Sequence, residues 1–367
     1  MKVDLWTILP QEIWINILGR LPAKSVFRCK FVCKSWGDMI EGVDFSESYI
    51  PKPCLCLAFG HEDTGYEVYD ETCKPLFRFQ LAQPAFTHKH SCVVIDSVDG
   101  LLFVWDMSRN YELIPCIVNP MTREYIRLSH LPIHRFIYGF GVSKLSGQYK
   151  ILLGDRWKPR HVYTLGPEVL LRSIREEVKT CRLDGNGDAK FLNGNLHWLA
   201  DYPDLVCCFD LETELLTTFS HPPRVHHGYR GRIYGGYGLF ILEDLLCLCD
   251  ISDDLHVVIW RMNNYGDANS WIKEYIFDQQ PYISETGRPN ILNYVLPLKV
   301  LENGDLLFTV NTDKRLFIYT KDADAVETYG LLQRSTFCSF SNIIIYRPTF
   351  RSLKSMGILN VGSSSFY

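Results

Sequence analysis

Histidine, cysteine and carboxylate side chains are the groups in this sequence suited to metal binding, proton transfer or nucleophilic attack, and their spacing limits what each can do. Asp184, Asn186 and Asp188 of DGNGD stand at the first, third and fifth places of a calcium loop, but Ala189 occupies the obligatory glycine position and Asn195 that of the bidentate glutamate. The segment reads as a hairpin turn. No Cys-x-x-Cys pair occurs, Cys29 and Cys33 lie one helical turn apart, and His88, His90, His226 and His227 have no cysteines beside them, so no metal is expected. Cys54 and Cys56, like Cys247 and Cys249, fall two apart in apolar runs, which places each pair on one face of a strand as small hydrophobes. Phosphate-loop, nucleophile-elbow and His-Glu-x-x-His motifs are all missing, and Gly235, Gly236 and Gly238 do not make a dinucleotide fingerprint. No catalytic residue and no cofactor are expected.

One segment is suited to anion recognition. Residues 221–232, HPPRVHHGYRGR, carry three arginines, three histidines and no acid. Guanidinium groups grip carboxylates and phosphates bidentately, which makes Arg224, His227, Arg230 and Arg232 candidate contacts for an acidic or phosphorylated target. Trp157, in the DRWKPRH loop at 155–161, and the loop at 279–289 are candidates for the same rim. The alternative for all of them is a solvated loop.

The elements that must carry these loops change character near residue 45. Before it the apolar period is helical: Ile13, Trp14, Ile17, Leu18 and Leu21 share one face, Pro10 suits the first helical position, and Glu12 lies in the first turn. Pro22 stops that helix, short helices are expected over 24–32 and 34–40, and Gly42 ends the cluster. After residue 50 come four- to six-residue β-runs separated by turn residues. DGLLFVWD (99–106), NGNLHWLAD (193–201) and NGDLLFTV (303–310) echo one another, and each leads into a β-run, an N-P-x-T, D-x-x-T or K-D-A-D turn, and another β-run. Further units start near 136 and 238. Anchors near 99, 141, 193, 240 and 303 recur roughly every forty to sixty residues, the mark of propeller blades. Five internal blades and one closed by pairing 341–346 with strands near 54–59, 66–69 and 76–79 make six; seven blades and a β-sandwich pair are the alternatives.

Composition fits this picture. Of 367 residues, 47% are hydrophobic and 22% charged, which is globular. A net charge of −4 gives no sign of a nucleic-acid partner. The opening MKVDLWTILPQEI carries one lysine, and Asp4, Pro10 and Glu12 interrupt any apolar core, so no export signal is expected. The longest apolar runs are strand length, so no membrane span is expected either. An odd thirteen cysteines with no glycosylation sequon point to reduced thiols and to the cytoplasm or nucleus.

A forty-residue helix cluster cannot build a core alone. Its surplus apolar residues either pack on the β-domain or meet a partner's helices. Residues 9–36, LPQEIWINILGRLPAKSVFRCKFVCKSW, closely resemble an F-box, the family motif that binds the Skp-type adaptor of an SCF (cullin–RING) ubiquitin ligase. The resemblance implies an all-α F-box over 1–45, with Leu9, Pro10, Ile13, Ile17, Leu18, Leu21, Pro22, Val26, Arg28, Val32 and Trp36 on the adaptor. The five cations Arg20, Lys24, Arg28, Lys30 and Lys34 would face an acidic partner. Segments such as YGFGVSKLSGQYKILL, FLNGNLHWLAD and ISDDLHVVIWRM resemble, in order, the F-box-associated, kelch-like β-propeller of plant F-box proteins, which implies a target-binding domain over 46–367. The expected function is that of a non-catalytic substrate receptor promoting ubiquitination and degradation of an unknown protein. A scaffold or decoy outside a ligase, or a sugar-binding or enzymatic propeller, are the alternatives.

Overall fold

The computed structural model describes residues 9–51, 53–61, 65–69, 74–81, 90–91, 93–107, 113–128, 131, 136–155, 159–166, 170–174, 189–200, 205–222, 238–251, 256–278, 295–310, 315–331, 343–358, 360–363 and 365–366. They fall into two compact units, Met1–Leu131 with Phe340–Tyr367, and Pro132–Ser339.

The first unit opens with four helices, α1 (Gln11–Gly19), α2 (Ala23–Cys29), α3 (Lys34–Glu41) and α4 (Val43–Ser48). Pro10 and Pro22 each precede a helix with ψ near 150° and act as the break that starts it, so Pro10 lies just outside the helix and not in its first turn. Gly42 does not end the cluster as expected from the sequence. Its extended backbone closes α3 and opens α4, whose Phe45 is fully buried. Six residues are too few for a helical period to show in a sequence.

Two antiparallel sheets complete this unit. One is ordered Ile343–Tyr346, Cys54–His61, Gly65–Tyr69, Pro75–Gln80, Ser365–Phe366, with His90–Ser91 pairing the end of Cys54–His61. Tyr346 pairs Cys54 and Ile345 pairs Leu55, which is the union of C- and N-terminal strands expected from the sequence. The strand near 341–346 does have followers, contrary to expectation: Gly362–Ser363 extends the second sheet, which continues through Glu124–Arg127, Leu113–Asn119, Leu101–Met107 and Val93–Val98. The second unit holds four four-stranded sheets, each a simple meander, which brings the sheets to six, the blade number expected.

Apolar clusters join neighbouring sheets of the second unit: the third to the fourth, the fourth to the fifth, and the fifth to the sixth. Central strands are accordingly buried on both faces, as in Tyr149–Gly154 and Leu306–Val310, while the outer strand Leu216–Ser220 is half-exposed. Paired sheets of this kind exclude an isolated sandwich. Asp99-Gly100 and Asn193-Gly194 have the two positive φ values of a type I′ hairpin, as does the unforeseen Glu243-Asp244. At Asn303-Gly304 only the glycine is left-handed. The N-P-x-T and D-x-x-T turns share a mechanism. Asn119 Oδ1 accepts from the amides of Met121 and Thr122, and Asp210 Oδ1 from those of Glu212 and Thr213. Among the described residues no helix is long and apolar enough to cross a membrane.

Gly100 and Gly147 are both left-handed, but a Cβ at Gly100 would lie 2.5 Å from Thr349 Cγ2, whereas one at Gly147 meets nothing within 4 Å. Gly147→Ala should therefore cost only the backbone term, about 1–2 kcal/mol. Gly100→Ala should cost about 3 kcal/mol or more, because it also overpacks the C-terminal segment. Urea unfolding of the two variants checks the order.

Candidate functional site

The helical head divides the apolar residues singled out in its sequence into two sets. Leu18 and Val26 are 1% and 0% exposed. They belong to one cluster with Ile40, Phe45, Met121 and Phe350, the last two contributed from outside the helices. The sequence placed both on a partner, whereas in this chain its own interior covers them. Ile13 and Ile17 are each 45% exposed, one turn apart on a single face of α1, and Val32 is 66% exposed. Leu9, Leu21 and Trp36 are half-buried, while Pro10, Pro22 and Arg28 are exposed. Trp36 packs against Trp14 with ring centroids 5.6 Å apart, which ties α3 to α1. The fold thus covers some of the surplus apolar residues and leaves others of the same segment exposed.

The basic residues divide in the same way. Arg20, Arg28 and Lys34 are exposed. Lys30 is not part of that face: its ammonium donates to the Met121 carbonyl at 3.2 Å and pairs with Glu41 at 2.6 Å, with its side chain 8% exposed. Lys24 reaches the Pro75 carbonyl at 3.5 Å. The exposed surface of the helical head is therefore apolar at Ile13, Ile17 and Val32, with Arg20, Arg28 and Lys34 exposed in the same segment. Covering each of those three side chains would be worth about 1 kcal/mol on area alone.

Arg224, His227, Arg230, Arg232 and Trp157 lie outside the described residues, as do residues 184–188 and 279–289. His221, the first histidine of the basic segment, is buried, with Nδ1 2.7 Å from the Pro222 carbonyl.

The polar clusters of the second unit join strands to turns. His197 Nε2 is 2.6 Å from the Tyr265 hydroxyl and Nδ1 is 3.2 Å from the Lys190 carbonyl; burial pushes its pKa down to about 4. Cys208 Sγ lies 3.4 Å from the same hydroxyl, and burial raises the thiol. A neutral imidazole, a protonated thiol and a phenol whose pKa is raised by burial are poorly activated for acid–base or nucleophilic chemistry. Lys150, 2% exposed, donates to the Leu211 carbonyl and pairs with Glu214 at 3.0 Å, tying the third sheet to the turn after Asp210. Burial pushes Cys247 up to about 12, in keeping with its reading as a small hydrophobe. No group of three or more His, Cys, Asp or Glu able to hold a metal is found among the described residues.

Sequence reasoning missed the segment after Tyr346. Phe350, Leu353 and Ile358 are buried there, spaced among polar residues without strand or helix period, and three isolated apolar side chains were the only signal.

Two family profiles match this chain. Residues 6–47 match the F-box domain and residues 70–326 the F-box associated beta propeller domain. An F-box protein of Arabidopsis thaliana is 26% identical over 82% of this chain and 79% of its own length. Another from that plant is 25% identical over 72% and 77%, and a third 29% identical over 70% of this chain and 61% of its own length. Solved structures with weaker likeness include virginiamycin B lyase from Staphylococcus aureus, 12% identical with a TM-score of 0.39 over 77% of this chain and 90% of that one. The periplasmic gluconolactonase of Pseudomonas aeruginosa is 14% identical with a TM-score of 0.42 over 81% and 100%. Likeness at that level bears on neither chemistry nor partner.

The folded-state pKa of His197 lies below its ordinary value of 6.5, so the folded chain binds fewer protons than the unfolded one between about pH 4 and 6.5. Stability from this site is present above pH 6.5 and is lost as pH falls toward 4, by on the order of 2–3 kcal/mol. His197→Gln should flatten that part of a plot of melting temperature against pH.

Proposed function

Since this chain belongs to the F-box-associated β-propeller family and carries an F-box ahead of the propeller, we propose that it is the substrate-receptor subunit of an SCF-type cullin–RING ubiquitin ligase. The observation that carries the proposal is the divided head. Leu18 and Val26 are consumed by the fold, while Ile13, Ile17 and Val32 remain on the surface of a segment that matches the F-box. In this reading the Skp-type adaptor covers the exposed set together with Leu9, Pro10, Leu21, Pro22 and Trp36. The exposed Arg20, Arg28 and Lys34 speed encounter with an acidic adaptor surface. Cullin and RING subunits are reached through the adaptor. The propeller holds a target protein, and ubiquitin transfer is promoted by raising the effective concentration of a target lysine beside a charged conjugating enzyme. No bond is made or broken by this chain. Work in the cytoplasm or nucleus accords with the odd count of thirteen cysteines.

Ile13→Glu with Ile17→Glu should abolish capture of a Skp-type adaptor while leaving the melting temperature within a few degrees of wild type. Leu18→Ala should instead destabilise by about 2–5 kcal/mol, because it empties a core site. Retained capture by the double glutamate variant would sink the docking assignment, and adaptor capture without cullin would favour a scaffold outside a ligase.

The target contact is proposed from the sequence alone, at Arg224, His227, Arg230 and Arg232, with Trp157 of the DRWKPRH segment. Reversing Arg224, Arg230 and Arg232 to glutamate should remove proximity-labelled targets without affecting the adaptor. An unchanged set of labelled proteins would eliminate that loop.

A further inference from the structure

The C-terminal segment contacts the helical head and both sheets of the first unit. After Tyr346 pairs with Cys54, the chain places Thr349 against Gly100 and inserts Phe350 into the head. The Phe350 ring, fully buried, stands 6.0 Å from Phe45 and 5.5 Å from Tyr49, both edge-on. Tyr49 in turn donates its hydroxyl to the Leu21 carbonyl at 3.0 Å, joining α4 to the loop between α1 and α2.

The residues after Phe350 are fixed to the second sheet by polar groups. Asn119 Nδ2 donates to the Arg351 carbonyl at 2.7 Å. The buried Glu124 carboxylate accepts from the Ser352 hydroxyl at 2.8 Å and from the Leu353 amide at 2.7 Å. Beyond these, Gly362–Ser363 pairs with Glu124–Arg127, and Ser365–Phe366 pairs with Pro75–Gln80. The head touches the same neighbourhood through Lys30 on Met121 and through Arg123, whose guanidinium lies 5.3 Å from the Phe27 ring centroid and 4.8 Å from that of Phe31. Head, sheet and C-terminal segment thus meet over Asn119 to Glu124.

We propose that this segment is a strap that clamps the helical head to the first two sheets, and that Phe350 is a positioning residue for ubiquitin transfer. The second half of the proposal rests on the docking function given above. A receptor working by proximity needs its handle held at a fixed angle to its cargo platform, since effective concentration falls when the linkage can swing. None of the exposed residues assigned to the adaptor belongs to the strap. Loosening it should therefore leave docking intact and change which lysines are reached.

The test uses the full chain reconstituted with adaptor, cullin, RING and conjugating enzyme, read out as self-ubiquitination site by site, together with hydrogen exchange of the free chain. In Phe350→Ala, amides of α1 to α4 should exchange on the order of 100-fold faster while those of the second unit are unchanged. Adaptor capture should persist, and ubiquitin should spread from few lysines to many. Phe350→Leu should restore the wild-type pattern, which guards against loss through misfolding. Unchanged exchange in the helices overturns the clamp. A uniform drop in ubiquitin with no redistribution, falling in step with adaptor capture, overturns the positioning role and marks Phe350 as an element of the fold alone. A wild-type chain that captures no adaptor defeats the docking function and the role in transfer, while the exchange measurement still decides the clamp.

Discussion

Four short helices of six to nine residues cannot exclude water from a core of their own. Met121 and Phe350, 0% exposed and separated from the head by long stretches of sequence, supply the missing interior. Much else follows from this dependence. Because the head's inner face is satisfied within the chain, its outer face need not collapse inward, and Ile13, Ile17 and Val32 can stay in water without the helices losing their register. Because Phe350 comes from beyond the last long strand, the chain must return to the helices after closing the first sheet. The buried acceptor groups of Glu124 and Asn119 are placed where that returning backbone needs partners.

Blade number and strand order were legible because several blades repeat the same local devices. Asp99-Gly100 and Asn193-Gly194 announce type I′ hairpins, and Asn119 and Asp210 cap the next turn by identical hydrogen bonds. Such features depend on residues a few positions apart, so a sequence displays them directly. Glu243-Asp244 shows the limit. It adopts the same two left-handed conformations although Glu243 disfavours its own, so tertiary pairing of Gly238–Leu242 with Leu245–Asp250 sets that residue against local preference.

The division of the head's apolar residues into covered and exposed sets was half legible. Helical period located the apolar face of α1, but period cannot say how much of a face a distant residue will cover. Leu18 and Ile17 are neighbours in sequence and equally apolar, yet one is 1% and the other 45% exposed. The difference comes from the neighbours Leu18 has in its cluster, Met121 and Phe350 among them. Lys30 was misplaced for the same reason: a cation in a basic run looks solvated until a carbonyl at residue 121 and Glu41 are found beside it. The C-terminal strap was illegible because it has no period at all; its burial is dictated by the surface it lies on.

The polar groups most suggestive of chemistry serve in this fold as ties. His197, Tyr265 and Cys208 join the fourth sheet to the turn at Asn263–Ser270 of the fifth, and Lys150 with Glu214 joins the third to the fourth. Glu124 and Asn119 hold the strap. A buried polar group left unpartnered costs about 1–3 kcal/mol, so each of these side chains favours one arrangement of its neighbours over slipped alternatives. Groups committed in this way are poorly placed to turn over a substrate, which needs a proton or a lone pair free to move. They are well placed to keep a platform stiff. Under the function proposed above, a target-binding unit held stiff in itself would suit transfer by proximity. The same ties are compatible with the non-catalytic receptor proposed above, whose contribution would be geometric.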